Sequence, residues 1–166
     1  MIYLFDTNIL IEASNRYYGL DFAPGFWHFI EKEAKKITLK SSDMVLAELQ
    51  EYEGELSDWA QDRKEIFDIS SDSPEIQENF KKVANYVNNH AVYSDTNKAK
   101  FLAKADPWLI ATAMHLETII VTHEVKVADN SKQVKIPNVA HEFGVETINT
   151  FEMIRRLGGK FELSAP

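Results

Sequence analysis

The 166-residue sequence contains no cysteine, which excludes disulfide bonds and thiolate metal sites. Any bound metal ion would therefore be held by oxygen atoms or imidazole rings. No apolar run approaches the ~18 residues that a membrane-spanning helix requires, and no basic segment followed by an apolar one resembles a signal peptide. From these absences we expect a cytoplasmic protein with no membrane partner, in keeping with a reducing compartment.

Positive charge is also scarce, because 18 lysine and arginine residues face 26 aspartate and glutamate residues, for a formal net charge of −8. This balance disfavours a protein that coats nucleic acid through basic side chains. It remains compatible with a nuclease, because divalent cations neutralise a cluster of carboxylates locally. The length and the 45% hydrophobic content allow a substantial core, and we expect one domain over residues 1–166.

Short apolar segments alternate with helical patterns along the chain. Residues 2–5 and 118–122 are nearly all apolar and predict buried strands, which is typical of a parallel sheet covered on both faces. We therefore predict an α/β fold with four to five short parallel strands flanked by helices. Further strands are expected at 37–39 and 144–148, a helical arm at about 54–104, and polar irregular chain from 123 to about 140. Helical patterns run over 7–14, from Pro24 onward, and over 44–49, 54–65, 74–90, 108–115 and 150–158.

Four acidic residues stand out by position. Asp6 ends the first strand and Glu124 lies just beyond the 118–122 strand, and ligands of parallel sheets bind at the carboxyl ends of strands. Asp106 precedes Pro107 at the start of a helix, and Glu48 lies among apolar residues of another helix. Together they favour an all-oxygen site of the kind that suits Mg²⁺ or Mn²⁺.

Each of these residues also has an ordinary structural interpretation. Asp6 and Asp106 stand where an aspartate caps a helix. Glu124 fits an exposed loop position, and Glu48 fits the boundary of an apolar face, where it would pair with a nearby lysine.

Four segments in order resemble the motifs of the PIN-domain ribonucleases, in particular the VapC-type toxins of bacterial and archaeal toxin–antitoxin pairs. They are LFDTNILIEA (4–13), SSDMVLAELQ (41–50), KADPWLIATAMHL (104–116) and IIVTHE (119–124). FEMIRRL (151–157) is similar to the closing helix of that family. Three departures mark a divergent branch: Glu124 stands where aspartate is more usual, a bulky Pro107-Trp108 step follows Asp106, and the helical middle is long.

The resemblance implies a PIN-like three-layer sandwich that hydrolyses RNA phosphodiester bonds with Mg²⁺ or Mn²⁺. It implies that Asp6, Glu48, Asp106 and Glu124 are catalytic metal ligands. Asn8 and Thr122 would orient a carboxylate or the attacking water. The implied partners are an RNA substrate, a cognate antitoxin protein and a second copy of the chain in a homodimer.

The residues that would contact the substrate are less specific. Arg16, Lys98, Lys100 and Lys104 are candidates for RNA phosphates, and the three lysines lie close to Asp106 in sequence. A solvated helix face is the ordinary alternative for such a charge run. The aromatic pairs Tyr17-Tyr18 and Phe26-Trp27 fit either base stacking or packing in a core or interface.

Two other functions are consistent with parts of the pattern. A non-catalytic PIN-fold module would bind or regulate without cleaving RNA, although all four acidic positions are filled. A haloacid-dehalogenase-like phosphatase needs Asp-x-Asp after its first strand, and Asn8 stands at the second of these positions. Metal-dependent RNA cleavage would favour the nuclease over the binding module, and a trapped aspartyl phosphate would identify the phosphatase.

Overall fold

The central sheet has four parallel strands in the order β2-β1-β3-β4. A computed structural model describes residues 1–162 of the chain. The strands are β1 (Tyr3–Phe5), β2 (Leu39–Lys40), β3 (Ile119–Val121) and β4 (Thr147–Ile148). The helices are α1 (Thr7–Glu12), α2 (Pro24–Lys35), α3 (Asp43–Leu49), α4 (Glu55–Gln61), α5 (Pro74–Asn89), α6 (Asp95–Leu102), α7 (Asp106–Leu116), α8 (Ile136–Glu142) and α9 (Thr150–Arg156).

The first strand lies inside the sheet, with Tyr3 paired to Leu39 of β2 and to Ile119 of β3. Every residue of β1 and β3 is buried. Since successive side chains of a strand point to opposite faces, both faces of these strands are covered. The predicted α/β class is confirmed.

The carboxyl ends of the strands are tied together at one edge of the sheet. The buried hydroxyl of Ser41 donates to the carbonyl of Phe5 at 2.8 Å. The backbone N–H of Asp6 donates to the carbonyl of Val121 at 3.0 Å. These bonds hold the segments that leave β1, β2 and β3 side by side. Three of the four acidic candidates, Asp6, Glu48 and Glu124, lie in the segments that follow these strands.

The middle of the chain is helical, as the sequence predicts. It consists of α4, a 3₁₀ turn at Lys64–Phe67, α5 and α6. Helix α5 lies along α7, where the ring of Phe80 stacks on Trp108 with centroids 3.8 Å apart and planes 16° from parallel. Trp108, two residues after Asp106, therefore attaches the helical arm to helix α7, which begins at Asp106.

Replacing Trp108 by alanine is expected to lower the free energy of unfolding by about 1–3 kcal/mol, because a half-buried stacked ring is lost. Trp108→Phe keeps an aromatic ring against Phe80 and should cost less than half as much. Urea denaturation followed by far-ultraviolet circular dichroism measures both values. Equal losses for the two variants would show that the stacked pair does not hold α5 against α7.

One expectation about the elements was wrong. The segment predicted to stay irregular to about residue 140 contains helix α8, which begins at Ile136 and has Pro137 at its first turn. Val139 and Ala140 bury its inner face, and Gly144 follows at φ +69°. Because α8 has only seven residues, too few apolar positions recur for a helical period to be recognised.

The ends of several other elements also differ from prediction. Strand β2 occupies Leu39–Lys40 rather than 37–39, and the exposed Ile37 before it has φ +60°. Helix α1 ends at Glu12 and continues as a π-helical turn over Ala13–Tyr17. Across residues 1–162, none of the helices has the length and apolar character needed to cross a membrane.

Candidate active site

Asp6 is buried at the carboxyl end of β1, with 1% of its surface exposed. It occupies the residue before α1, but its side chain makes no capping hydrogen bond. Its Oδ2 instead accepts a hydrogen bond of 2.9 Å from the Thr122 hydroxyl. The helix-cap interpretation of Asp6 therefore does not describe its side chain, which faces the end of the neighbouring strand β3.

One of the two residues predicted to orient the site, Thr122, contacts Asp6. Thr122 is buried, and its hydroxyl accepts the backbone N–H of Glu124 at 3.1 Å. Since that oxygen accepts from Glu124, its own hydrogen is directed to Asp6 and fixes the orientation of that carboxylate. The backbone of Asn8 lowers the pKa of Asp6, and Asn8 itself is exposed.

Glu48 projects from helix α3 and is half-buried. Its Oε2 accepts a hydrogen bond of 2.5 Å from the hydroxyl of Thr7, which is itself buried. The alternative of a lysine partner does not describe this contact. Sequence reasoning missed the role of Thr7, although its position directly after Asp6 was a signal that could have identified it.

Glu124 is held between two elements and is not the freely exposed loop residue of the ordinary interpretation. Its Oε1 lies 2.9 Å from the Lys135 ammonium, and its Oε2 accepts the Ile136 N–H of α8 at 2.7 Å. Both carboxylate oxygens therefore have protein partners. The sequence did not reveal this pairing, because irregular chain separates Glu124 from Lys135.

Asp106 is the first residue of α7, and the residue before that helix is Ala105. Its pKa is raised to about 8 by burial first, then by the charges of Asp6, Glu124 and Glu48, while Lys104 acts in the opposite direction. The charges of Asp6, Glu124 and Glu48 therefore act on Asp106, and Asp106 and Glu124 line one cavity. We call these four carboxyl groups the acidic site.

Burial is also the main cause of the raised pKa of Asp6, which is about 6. The hydrogen bond from Thr122 lowers this pKa, and the charges of Glu124 and Glu48 raise it. Carboxylates that repel one another in this way are stabilised when a cation is placed between them.

The site does not enclose a metal ion with protein atoms alone. Among residues 1–162, no three acidic or imidazole side chains converge closely enough to do so. Mg²⁺ usually keeps several waters and takes only one or two carboxylates. Asp6 and Asp106 are suited to such an ion, while Glu48 and Glu124 already bind Thr7 and Lys135. The four-carboxylate ligand set stays a prediction.

Two of the predicted cationic residues lie beside the carboxylates. Lys100 and Lys104 line a cavity of about 380 Å³ together with Asp106, Glu124 and Lys135. We call this the lysine cavity. Lys100 belongs to α6, Lys104 stands between α6 and α7, and Lys135 directly precedes α8.

The other two predicted cations have partners of their own. Lys98 donates to the carbonyl of Asn88 at 2.9 Å, and its side chain is only 15% exposed. Arg16 pairs with Glu12 at 3.1 Å on an exposed turn. Neither residue lines the lysine cavity.

The sheet order and the carboxylates at one strand edge define a PIN-like α/β protein with an acidic site. The chain belongs to the family described as "Domain of unknown function (DUF4411)", whose model matches residues 3–161. No curated protein matches the sequence significantly.

The fold is similar to a chain in the crystal structure of VapBC2 from Rickettsia felis bound to a DNA fragment from their promoter. The two chains share 18% sequence identity, and the match covers 90% of this chain and 98% of the other, with a TM-score of 0.55. The PIN-like α/β fold predicted from the four motifs is confirmed.

Proposed function

We propose that this protein is a metal-dependent endoribonuclease that acts as the toxin of a toxin–antitoxin pair. The observation that carries the proposal is the buried Asp6 carboxylate, oriented by Thr122 and grouped with Asp106, Glu48 and Glu124 at one edge of a PIN-like sheet. A buried carboxylate without a cationic partner is costly. A structural role for Asp6 would be served equally well by a neutral side chain.

Asp6 and Asp106 are the residues that would hold Mg²⁺ or Mn²⁺, with waters completing the coordination. Such an ion, when bound, lowers the pKa of its water and stabilises charge that develops on the phosphate. Thr122 fixes the orientation of the Asp6 carboxylate, which would be one of the ligands. Thr7 holds Glu48 through one carboxylate oxygen, and the other oxygen would be able to position a water beside such an ion.

The cations around the site would act on the substrate. Lys100 and Lys104 line the lysine cavity beside Asp106, and the charge of Lys104 also lowers the pKa of Asp106. Lysine side chains that neutralise phosphates are the usual source of affinity for nucleic acids. We assign these two lysines to the RNA backbone and Lys135 to positioning Glu124.

The toxin assignment is supported by the similarity to the VapBC2 chain. It implies a cytoplasmic protein that is inhibited by a cognate antitoxin, and a homodimer is the oligomer that the PIN-like toxins suggest. Expression of the chain in a bacterial host should arrest growth. Co-expression of a small open reading frame adjacent to its gene should relieve that arrest.

The direct test is cleavage of labelled single-stranded RNA by the purified, antitoxin-free chain. We expect cleavage with Mn²⁺ or Mg²⁺, loss of cleavage when a chelator is added, and recovery when the ion is restored in excess. Circular dichroism in the chelator shows whether the fold persists without metal. A folded preparation that cleaves RNA with neither ion would contradict the nuclease assignment and favour a non-catalytic binding module.

A further inference from the structure

Three aromatic rings contact one another on the surface next to the acidic site. Tyr17 lies 5.8 Å from Phe151 and 6.1 Å from His123, and His123 lies 6.0 Å from Phe151, measured between ring centroids. We call this group the aromatic platform. Each ring comes from a different part of the chain, so only the fold brings them together.

The platform is attached to the same elements that position the carboxylates. Tyr17 ends the π-helical turn that continues α1 beyond Asp6 and Thr7. His123 stands between Thr122 and Glu124, and its Nε2 lies 3.1 Å from the hydroxyl of Thr150 at the start of α9. Phe151 is the next residue of that helix. The rings are therefore held at a set position relative to Asp6.

Two of the rings are exposed although they are large and apolar. Tyr17 is 48% exposed and Phe151 is 38% exposed. The neighbouring aromatic residues differ, because Tyr18 stacks on the buried Phe26 and the buried Trp27 donates its ring N–H to the carbonyl of Tyr18. Of the two aromatic pairs in the sequence, only Tyr17 is left on the surface.

A cavity of about 560 Å³ lies between two rings of the platform and one residue of the acidic site. It is lined by His123, Phe151 and Glu124, and also by Thr122, Lys126, Asn149 and Glu152, whereas Tyr17 lies outside it. It shares Glu124 with the lysine cavity. Aromatic rings, amide and ammonium groups, and a nearby cationic cavity form the combination that single-stranded nucleic acids require, with bases stacked on rings and phosphates near lysines.

We propose that the aromatic platform stacks an unpaired base of single-stranded RNA next to the phosphate that is cleaved. The proposal rests on the proposed function, and it adds that one base beside the cleaved phosphate is bound by stacking on these rings. In a duplex the faces of the bases are covered by their neighbours, so the platform would favour loops and unpaired segments.

The test uses short RNA oligonucleotides that carry 2-aminopurine, a base whose fluorescence is quenched by stacking. Binding is measured with Ca²⁺ in place of Mg²⁺, and cleavage of the same strand with Mn²⁺ is measured in parallel. Phe151→Leu and Tyr17→Leu keep an apolar side chain but remove the ring. Each should weaken binding by about 5- to 100-fold and reduce the quenching. Phe151→Trp should bind at least as tightly as wild type.

Phe22→Leu is the matched control, because Phe22 is 68% exposed and is not part of the platform or of either cavity. It should bind RNA as the wild type does. Unchanged RNA binding in Phe151→Leu and Tyr17→Leu would overturn the proposal. So would an altered oligomeric state or lost antitoxin binding with RNA binding intact, since the surface would then be a protein interface.

The two proposals fail in different ways. If the wild type cleaves RNA and the platform variants bind it normally, only the platform is contradicted. If the wild type quenches 2-aminopurine through Phe151 and Tyr17 but cleaves nothing with Mn²⁺, the platform is supported and the nuclease assignment is contradicted. Absence of both binding and cleavage would contradict both.

Discussion

Asp6→Asn is expected to lower the rate of Mn²⁺-dependent RNA cleavage by on the order of 100- to 1000-fold, the range found when one preorganised electrostatic group is removed from an active site. Asparagine has nearly the same shape and still accepts the hydrogen bond from Thr122. It removes the negative charge that would hold the ion. Initial rates on a labelled single-stranded RNA, compared at equal protein and Mn²⁺ concentrations, measure the effect.

Glu33→Gln is the matched control for removing a buried carboxylate. Glu33 is 4% exposed and bonds to Lys36 at 2.7 Å and to the Thr38 hydroxyl at 3.0 Å. Thr38 directly precedes β2, at the amino end of the strands, whereas Asp6 lies at the carboxyl end of β1. The Glu33→Gln protein should cleave RNA at the wild-type rate even if it unfolds more easily. Cleavage by Asp6→Asn at the wild-type rate would contradict the assigned role.

The metal-free protein is expected to lose stability as the pH rises from about 4 to about 8. Burial and the neighbouring carboxylates raise the pKa of Asp6 to about 6 and that of Asp106 to about 8, both from 3.8. The folded state therefore retains protons that the unfolded chain releases above about pH 4. This contribution to the free energy of unfolding is fully present below about pH 4. It is lost as the pH rises through the folded-state pKa values of Asp6 and Asp106.

Asp106→Asn should remove most of this pH dependence and make the metal-free protein more stable than wild type at pH 8, by on the order of a few kcal/mol. The asparagine has no charge to bury. Urea denaturation at several pH values in the presence of chelator measures the change in the free energy of unfolding.

Adding Mn²⁺ at pH 8 provides the complementary measurement. A ligand that binds only the folded state raises its stability, so Mn²⁺ should raise the melting temperature of wild type more than that of Asp106→Asn. An Asp106→Asn protein that is less stable than wild type at pH 8 without metal would show that the charge of Asp106 is not unfavourable in the fold.

The sequence was sufficient for the features that depend on adjacent residues. The apolar runs before Asp6 and before Thr122 predicted buried strands, and a parallel arrangement places the ends of such strands at one edge. The four motifs in order predicted the PIN-like fold, which the structural comparison confirms. Helix α8 was missed because it is short and follows a long irregular segment.

The partners of each carboxylate were decided by the tertiary structure. Thr7 faces Glu48 across 41 positions of sequence, and Thr122 faces Asp6 across 116. Lys98 and Lys100 are two residues apart, yet only Lys100 lines the lysine cavity. A helix turns such neighbours to different sides, so their surroundings depend on what packs against each side.

The sequence by itself therefore determined the class of fold, the order of the elements other than α8 and the acidic character of the site. These follow from local hydrophobic patterns and from charges that stand directly at the ends of strands. Only the tertiary structure decided that Glu124 binds Lys135, that Trp108 stacks on Phe80, and that Tyr17, His123 and Phe151 meet beside the carboxylates. Such contacts join distant segments, and their geometry is set by how the helices pack on the sheet.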